Sequence, residues 1–286
     1  MNGEMANLIC LTTFGNQYLR GPKSAKAPEL VKTNSTFIFT SRIDFYEVKG
    51  TRRYPREFHI AKGTREWFQY LRKKGVTRLR LAAVGYNDKR PYMPDRVAVA
   101  FAGCANWAVV SESKEGDMVW ILQDFTIKDF SYTSKVKRIW ESEVRGYTAK
   151  IPLRDPPISI DAAETALRDA LVQIIRFSKL KSPVRDWVPS FNSALAALDE
   201  KKTPSFRYWD DLAPKRWMSM RTKRLVAAAE RSWVFGGMCS WNDVGYTFKS
   251  HPYHKEYTRV SNLLYVAMID ALVFAANERP AKGNVR

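Results

Sequence analysis

The pattern of apolar and polar positions changes part-way along the chain. In the first half, short runs of aromatic and β-branched residues alternate with turn signals, which is typical of β-strands. The predicted strands are Leu8–Thr13, Thr36–Val48, Leu79–Val84, Val97–Phe101, Trp107–Ser111 and Met118–Asp124, with weaker candidates at Phe125–Phe130 and Ile139–Ile151. The segment after Lys49, GTRRYPRE, is predicted to be a Gly-, Pro- and Arg-rich turn. One amphipathic helix is predicted among the strands, over Lys62–Lys74, because Trp67, Phe68 and Leu71 recur at helical spacing.

After the proline-rich run at residues 151–157, strand signals stop and apolar residues recur with a helical period. Helices are predicted from Asp161, from Ser182, over Ser219–Phe235 and over His254–Asn277. We therefore predict an α+β fold. Its N-terminal domain, residues 1–155, would hold a mixed, mainly antiparallel sheet, and residues 156–286 would form a bundle of about four helices.

Composition adds a strong charge imbalance to this picture. The chain has 286 residues, of which 45% are hydrophobic, so it can bury a sizeable core. Its 47 Lys and Arg residues outnumber 29 Asp and Glu residues, which gives a net charge of +18. A field of this sign attracts nucleic-acid phosphates, anionic membrane surfaces or acidic proteins. The alternative is a basic protein whose charge has no specific partner.

Cysteine usage and hydropathy narrow the location. The 3 cysteines lie far apart and suggest no disulfide framework, which favours reduced thiols and a cytoplasmic location. No window approaches the roughly 18 uncharged apolar residues that crossing a membrane needs. We therefore expect no membrane partner.

The charge is concentrated in the stretch from Phe37 to Val84. It holds twelve Lys and Arg residues against four Asp and Glu residues, and so carries +8 of the net +18. Arginine forks bind phosphates and exposed rings stack on unpaired bases, so this mixture suits single-stranded or irregular nucleic acid. The predicted nucleic-acid-binding residues are Arg52, Arg53, Tyr54, Arg56, Arg65, Arg72, Lys73 and Lys74. The rings of Phe58, Trp67 and Phe68 are interpreted as core.

Within the same stretch, Glu47-Val48-Lys49 ends a predicted strand, and alternation places Glu47 and Lys49 on one face. Magnesium-dependent phosphodiester cleavage uses carboxylates to hold the metal ion and a lysine to polarise the attacking water. From Phe45 to about Asp88 the sequence resembles the PD-(D/E)xK restriction-endonuclease-like superfamily, whose motif is matched by Glu47 and Lys49 and whose further part would include Asn87-Asp88.

The resemblance implies a second acid on the preceding strand. Asp44 falls on the opposite face from Glu47, so Glu29 is the remaining candidate for that catalytic position. A Glu-x-Lys pair is also common on half-exposed strands as an ordinary ion pair.

Three functions follow as hypotheses. The first is a nucleic-acid-binding protein, DNA or RNA, working as a component of a larger complex. The second is a magnesium-dependent nuclease using Glu47, Lys49 and Glu29, and the third is a module that binds an acidic protein partner. No cofactor and no metal site are expected, except for magnesium under the nuclease hypothesis.

Overall fold

A computed structural model describes residues 1–51, 53–84, 95–100, 107–127, 138–148, 151, 153–154, 159–180, 182–206, 209–237, 239–248 and 252–278. Over these residues the first half contributes a single mixed sheet of seven strands, and the second half is built from helices. The predicted α+β class is confirmed.

The sheet has the strand order β2-β1-β6-β5-β4-β3-β7. Its strands are β1 Thr40–Thr51, β2 Tyr54–Lys62, β3 Arg78–Val84, β4 Trp107–Glu112, β5 Met118–Thr126, β6 Trp140–Tyr147 and β7 Leu153–Arg154. Strands β1 and β6 pair in parallel, whereas all other pairs are antiparallel. The β1–β2 hairpin therefore forms one edge of the sheet.

Helices flank this sheet and fill the second half of the chain. They are α1 Gly3–Arg20, α2 Leu30–Thr33, α3 Gly63–Lys73, α4 Asp95–Ala98, α5 Ile160–Leu180, α6 Val188–Ala197, α7 Met220–Arg231, α8 Trp241–Phe248 and α9 His254–Asn277. Short 3-10 helices span Ser35–Phe37 and Ser182–Trp187. The predicted helical half is confirmed, and α8 is an additional helix that the sequence pattern did not indicate.

Three predictions about the first half are wrong. Leu8–Thr13 lies inside α1, whose apolar residues are buried almost all round, and a short apolar run carries no period that separates a buried helix from a strand. Residues Val97–Phe101 begin in α4, with Phe101 outside the described residues. The Gly-, Pro- and Arg-rich segment after Lys49 is not only a turn, because β2 starts at Tyr54.

One hydrophobic cluster contains residues of both halves, including Leu11 of α1, Leu81 of β3 and Leu272 of α9. Two asparagines tie helices to the backbone of β3. The side-chain amide of Asn16 exchanges two 2.8 Å hydrogen bonds with Leu79, and Asn277 of α9 does the same with Leu81. These amides therefore satisfy backbone N–H and C=O groups of β3 at residues that do not pair with β7. The predicted domain boundary at 155 falls among undescribed residues and stays a prediction.

Helix α9 is long and apolar enough to cross a membrane by length and composition, since its best 18-residue window has a mean hydropathy of 1.5. However, 67% of that window is buried inside the protein, as in the core helix of many proteins. It packs on α5, α7 and β3. The expectation that no segment meets a membrane stays a prediction.

Candidate nucleic-acid interface

The β1–β2 hairpin presents rings and cations on one face. In its register, Glu47 lies opposite Phe58, Lys49 opposite Arg56 and Thr51 opposite Tyr54. Residues directly opposite each other in a sheet share a face, so Tyr54, Arg56 and Phe58 point to the same side as Glu47, the side that α3 covers. Tyr54 is 71% exposed and Phe58 is 46% exposed.

Cations lie against both of these rings. The Lys49 Nζ atom is 5.3 Å from the centroid of Phe58, and Cζ of Arg53 is 5.9 Å from that of Tyr54. We call Lys49, Arg53, Tyr54, Arg56 and Phe58 the hairpin surface. It combines two exposed aromatic rings with a cation lying over each ring.

The local sequence explains why the hairpin forms. Gly50 has a φ of +96°, and a Cβ atom there would lie 2.6 Å from the carbonyl oxygen of Tyr54. Both the positive φ and the close carbonyl oxygen therefore exclude a residue with a side chain at this position. Pro55 cannot donate to a ladder, but β2 is an edge strand and tolerates it.

Helix α3 continues the positive surface beside the hairpin. It is fixed on the sheet by Trp67, whose ring stacks on Phe45 of β1 at 4.6 Å, and Phe68 is fully buried beside it. The predicted core role of these two rings is confirmed, whereas Phe58 is exposed. The outward side of α3 and its last turn leave Arg65, Lys73 and Lys74 exposed, and Lys74 Nζ lies 5.6 Å from the ring centroid of Tyr70.

Arg72 has a different environment from the other predicted phosphate-binding residues. Its guanidinium donates to the carbonyl oxygens of Pro22 at 3.2 Å and Lys23 at 3.4 Å, and also to that of Tyr18. Its Cζ atom lies 3.6 Å from the centroid of the Tyr18 ring. Arg72 therefore ties α3 to the C-terminal end of α1. Arg52, a further predicted contact, lies outside the described residues.

Glu47 and Lys49 lie together, as the sequence pattern predicts. Lys49 Nζ is 3.2 Å from Oε2 of Glu47, and the Tyr70 hydroxyl donates to Oε1 of the same carboxylate. Burial by itself would raise the pKa of Glu47. The hydrogen bonds from Tyr70 and Lys49, with the positive charges of Lys49 and Lys74, outweigh burial and hold that pKa below its usual value.

Glu29 is not brought to this pair. Its Oε1 atom accepts hydrogen bonds from the backbone N–H of Thr64 at 3.4 Å and from the Thr64 hydroxyl at 3.2 Å, at the start of α3. Glu47 contacts Tyr70 instead, six residues and so about 9 Å further along the helix. In this position Glu29 accepts a hydrogen bond from an N-terminal N–H of α3, and its negative charge interacts favourably with the positive end of the α3 dipole. Asn87-Asp88 lies outside the described residues.

A cavity of about 390 Å³ lies beside Glu47, between the last turn of α3 and the β4–β5 turn. Glu47, Lys49 and Lys74 line one side of it, and Glu115 and Asp117 line the other. Among the described residues, no group of three or more His, Cys, Asp and Glu side chains is placed to hold a metal ion. The described lining therefore offers both signs of charge to a polar group.

Phe58 is the residue of this surface that sequence reasoning missed. The signal was present in the alternation Tyr54-x-Arg56-x-Phe58, which places three side chains on one face of a strand. The alternation does not predict a strand on its own, because turn-forming residues, Gly50, Pro55 and the neighbouring arginines, occur in and beside it.

The Tyr70–Glu47 hydrogen bond should contribute to stability in a pH-dependent way. At neutral pH, Tyr70→Phe is expected to lower the free energy of unfolding by about 1–3 kcal/mol, because a buried carboxylate loses its donor. Since the folded pKa of Glu47 is lowered, its contribution is present above the unfolded pKa and is lost as pH falls through the folded one. Urea titrations should therefore show the difference between variant and parent narrowing on acidification.

Tyr46→Phe is the matched control, since the Tyr46 hydroxyl makes no hydrogen bond with the described part of the chain and lies on the opposite face of β1. A Tyr70→Phe effect that is equally large at acidic pH would contradict the role given to Glu47.

Comparisons with known proteins assign this chain to no family. No protein-family model, no curated protein and no solved structure matches this chain. The resemblance at Glu47-Val48-Lys49 therefore rests on that motif alone and stays a prediction.

Proposed function

We propose that this protein binds single-stranded nucleic acid through the hairpin surface and the adjoining outer side of α3. The observation that carries the proposal is the exposure of Tyr54 and Phe58 on one strand face with Arg56 between them. Rings in this arrangement stack on bases while the cation holds the phosphate that links them. The protein would act as a component of a larger complex.

Free positive charge supports the phosphate-binding part of the proposal. In the described part of the chain, no carboxylate lies within ion-pair distance of Arg56, Arg65 or Lys73. On the opposite face of the same sheet, Arg145 is paired with both Glu57 and Glu143. Unpaired cations repel one another in the free protein, and a bound polyanion neutralises their charge. Binding also releases counterions from the polyanion, which favours the complex.

The rings favour unpaired strands over duplexes. A base stacks on an exposed ring only when its own face is available, as in single strands, loops and bulges. Tyr54 and Phe58 are four residues apart on one strand, about 13 Å, so they can engage two separate bases of one strand. Binding of an acidic protein partner would explain the cations, but it would not explain the two exposed rings that lie among these cations.

The nuclease hypothesis has weaker support. Glu47 and Lys49 are adjacent, but the Glu47 carboxylate is already held by Tyr70 and Lys49, and Glu29 is engaged at the start of α3. We therefore propose binding without cleavage, and no magnesium requirement. DNA and RNA are both suitable ligands for this surface.

The charge contribution can be tested by fluorescence anisotropy with a labelled single-stranded oligonucleotide at several salt concentrations. The double variant Arg56→Ala/Lys73→Ala should bind about tenfold more weakly at low salt, because two phosphate contacts are lost. The slope of log affinity against log salt should become less steep by about 1.4, about 0.7 for each cation removed, as is typical of single strands.

The matched control is Lys201→Ala/Lys202→Ala, which removes the same charge from two exposed positions in the helical half. Equal losses in the two double variants would show that only net charge matters, and would contradict the proposed location. Unchanged binding by Arg56→Ala/Lys73→Ala would do the same.

A further inference from the structure

A second cavity, of about 650 Å³, lies at the other end of the sheet. Met118 at the start of β5 lines the cavity beside Glu47, whereas Asp124 near the end of β5 lines this one. Six strand residues separate the two positions, about 20 Å. The second cavity lies where the N-terminal part of α1, the start of β1 and the segment after α7 meet, and its size is that of a small-molecule site.

Aromatic rings form much of the described wall of this cavity. Its rings are those of Phe39, Trp140, Trp187, Trp209, Trp233 and Phe235. Phe39 is 57% exposed directly before β1. The ring of Trp233 is fixed in place, because its Nε1–H donates to the carbonyl oxygen of Phe235 at 2.9 Å. A wall of this kind favours a flat aromatic ligand, which stacks on the rings or meets them edge to face.

The charged groups of this wall are already engaged within the protein. The acids that line the cavity are Glu4, Asp124 and Glu230, and no described Lys or Arg lines it. Glu4, Glu230 and Met1 each have an interaction partner in the protein, and the Ser142 hydroxyl donates a hydrogen bond to Oδ1 of Asp124. Burial also raises the pKa of Asp124. The described wall therefore gives a charged ligand no unengaged counter-ion, which favours an uncharged ligand.

Asn7 provides an independent sign of a ligand. It lines the cavity and is 3% exposed, yet its Oδ1 atom accepts no hydrogen bond from the described residues. A buried amide oxygen without a donor is unfavourable, so such a group usually meets a ligand or another polar group. An asparagine amide presents an acceptor beside a donor in one plane, and its complement is a flat edge with an N–H beside an acceptor. The edge of adenine, with its amino group beside a ring nitrogen, is such a complement.

We propose that this cavity binds an uncharged adenine-type base, as the free base or its nucleoside. The base stacks on the indole wall, while its amino N–H donates to Oδ1 of Asn7 and a ring nitrogen accepts a hydrogen bond from the Asn7 amide nitrogen. A purine has a larger stacking face than a pyrimidine and suits a cavity of this size. The cavity shares no described residue with the hairpin surface, so the proposal does not rest on nucleic-acid binding.

Calorimetric titration of the whole protein with 9-methyladenine, and with 9-methylpurine, which lacks the amino group, tests the hydrogen-bonding part. 9-Methyladenine should bind saturably and about tenfold more tightly, because only this compound completes both hydrogen bonds with Asn7. In Asn7→Leu the two compounds should bind equally, since a side chain of similar size is kept without its amide. The variant should fold, because an apolar side chain replaces a buried amide oxygen that has no donor.

Alkylation of Cys239 locates the ligand in the parent protein, without any substitution. Cys239 is exposed and lines the cavity, whereas Cys10 is fully buried. Saturating 9-methyladenine should slow the reaction of Cys239 with iodoacetamide several-fold, because the thiol must be accessible to react. Peptide mapping by mass spectrometry measures Cys239 separately from the other cysteines.

The double variant Tyr54→Ala/Phe58→Ala separates this site from the hairpin surface. It should bind 9-methyladenine as the parent does, and a loss of binding would place the base on the hairpin surface and overturn the proposal. The proposal also fails if the parent binds 9-methylpurine as tightly as 9-methyladenine, or if Asn7→Leu still discriminates between them. Unchanged alkylation of Cys239 at millimolar 9-methyladenine would contradict it in the same way.

A free nucleoside and a base within a single strand share this chemistry. Titration with adenosine and with oligo(dA) separates these sources, with alkylation of Cys239 as the readout. We expect protection by adenosine and none by oligo(dA), because the described wall has no Lys or Arg to hold the phosphates of a strand. Protection by oligo(dA) at lower concentrations than adenosine would identify a base of a strand and overturn the assignment to a free nucleoside.

Discussion

Replacing Tyr54 and Phe58 together by alanine should weaken single-stranded nucleic-acid binding by at least about 30-fold. Stacking of a base on an aromatic side chain contributes about 1–3 kcal/mol, so two rings contribute about 2–6 kcal/mol. Because the rings are 71% and 46% exposed, their removal leaves the core unchanged. Surface substitutions of this kind usually alter the free energy of unfolding by less than about 0.5 kcal/mol.

The measurement is a set of anisotropy titrations with single-stranded DNA, single-stranded RNA and a duplex of the same sequence. Affinity for both single strands should fall sharply, whereas the weaker, charge-driven duplex binding should change little, because paired bases do not stack on these rings. The salt slope should stay that of the parent, since no cation is removed.

Phe125→Ala provides a control of equal chemistry. Phe125 is 45% exposed, but alternation along β5 places it on the face of the sheet away from α3. Its replacement should leave both affinities unchanged. Parent-like binding by the Tyr54/Phe58 double variant would remove the stacking part of the proposed function and leave a purely electrostatic surface.

Elements with a clear period were predictable from the sequence. Helix α9 has the predicted bounds, and β3, β4, β5 and β6 all overlap predicted strands. Apolar side chains on the core face recur along these strands, so the pattern reflects tertiary burial. Leu8–Thr13 was misassigned because α1 is buried nearly all round, which erases the helical stripe that identifies a surface helix.

The candidate site was predictable only in part, because its geometry depends on contacts between residues far apart in sequence. Tyr70 reaches Glu47 across 23 residues, and Thr64 binds Glu29 across 35. Neither contact leaves a pattern in the sequence. Arg72 shows the same limit. Its sequence context predicts a charge available for phosphate, whereas backbone carbonyl oxygens of α1 and the following turn accept its hydrogen bonds.

The two cavities make the charge of the chain easier to understand. Cations are collected on the hairpin and α3, while the cavity at the other end of β5 has an acidic, indole-lined wall. A uniformly basic protein would attract every polyanion at every surface. Because the two kinds of surface are separate, we expect a polyanion to meet the hairpin and α3 rather than this cavity.

The core ring that positions α3 should have the largest effect on stability. Trp67→Ala is expected to lower the free energy of unfolding by about 3–5 kcal/mol, the usual cost of emptying a large buried aromatic site. Trp67 is fully buried, stacks on Phe45 at 4.6 Å and meets the edge of Trp120 at 5.5 Å. It thus joins α3 to both β1 and β5.

Trp67→Phe should cost clearly less than Trp67→Ala. Part of the ring volume is kept, and the indole Nε1–H, which finds no acceptor among the described residues, is removed with its desolvation penalty. Urea unfolding followed by far-ultraviolet circular dichroism measures both variants, with Phe125→Ala as an exposed-ring control expected within about 0.5 kcal/mol of the parent.

Equal costs for the two Trp67 variants would contradict this account of the buried N–H. A loss below about 1.5 kcal/mol for Trp67→Ala would show that α3 is held mainly by other contacts. Because Lys73 and Lys74 follow Trp67 by less than two turns of helix, Trp67→Ala should also weaken oligonucleotide binding, whereas Trp67→Phe should preserve it.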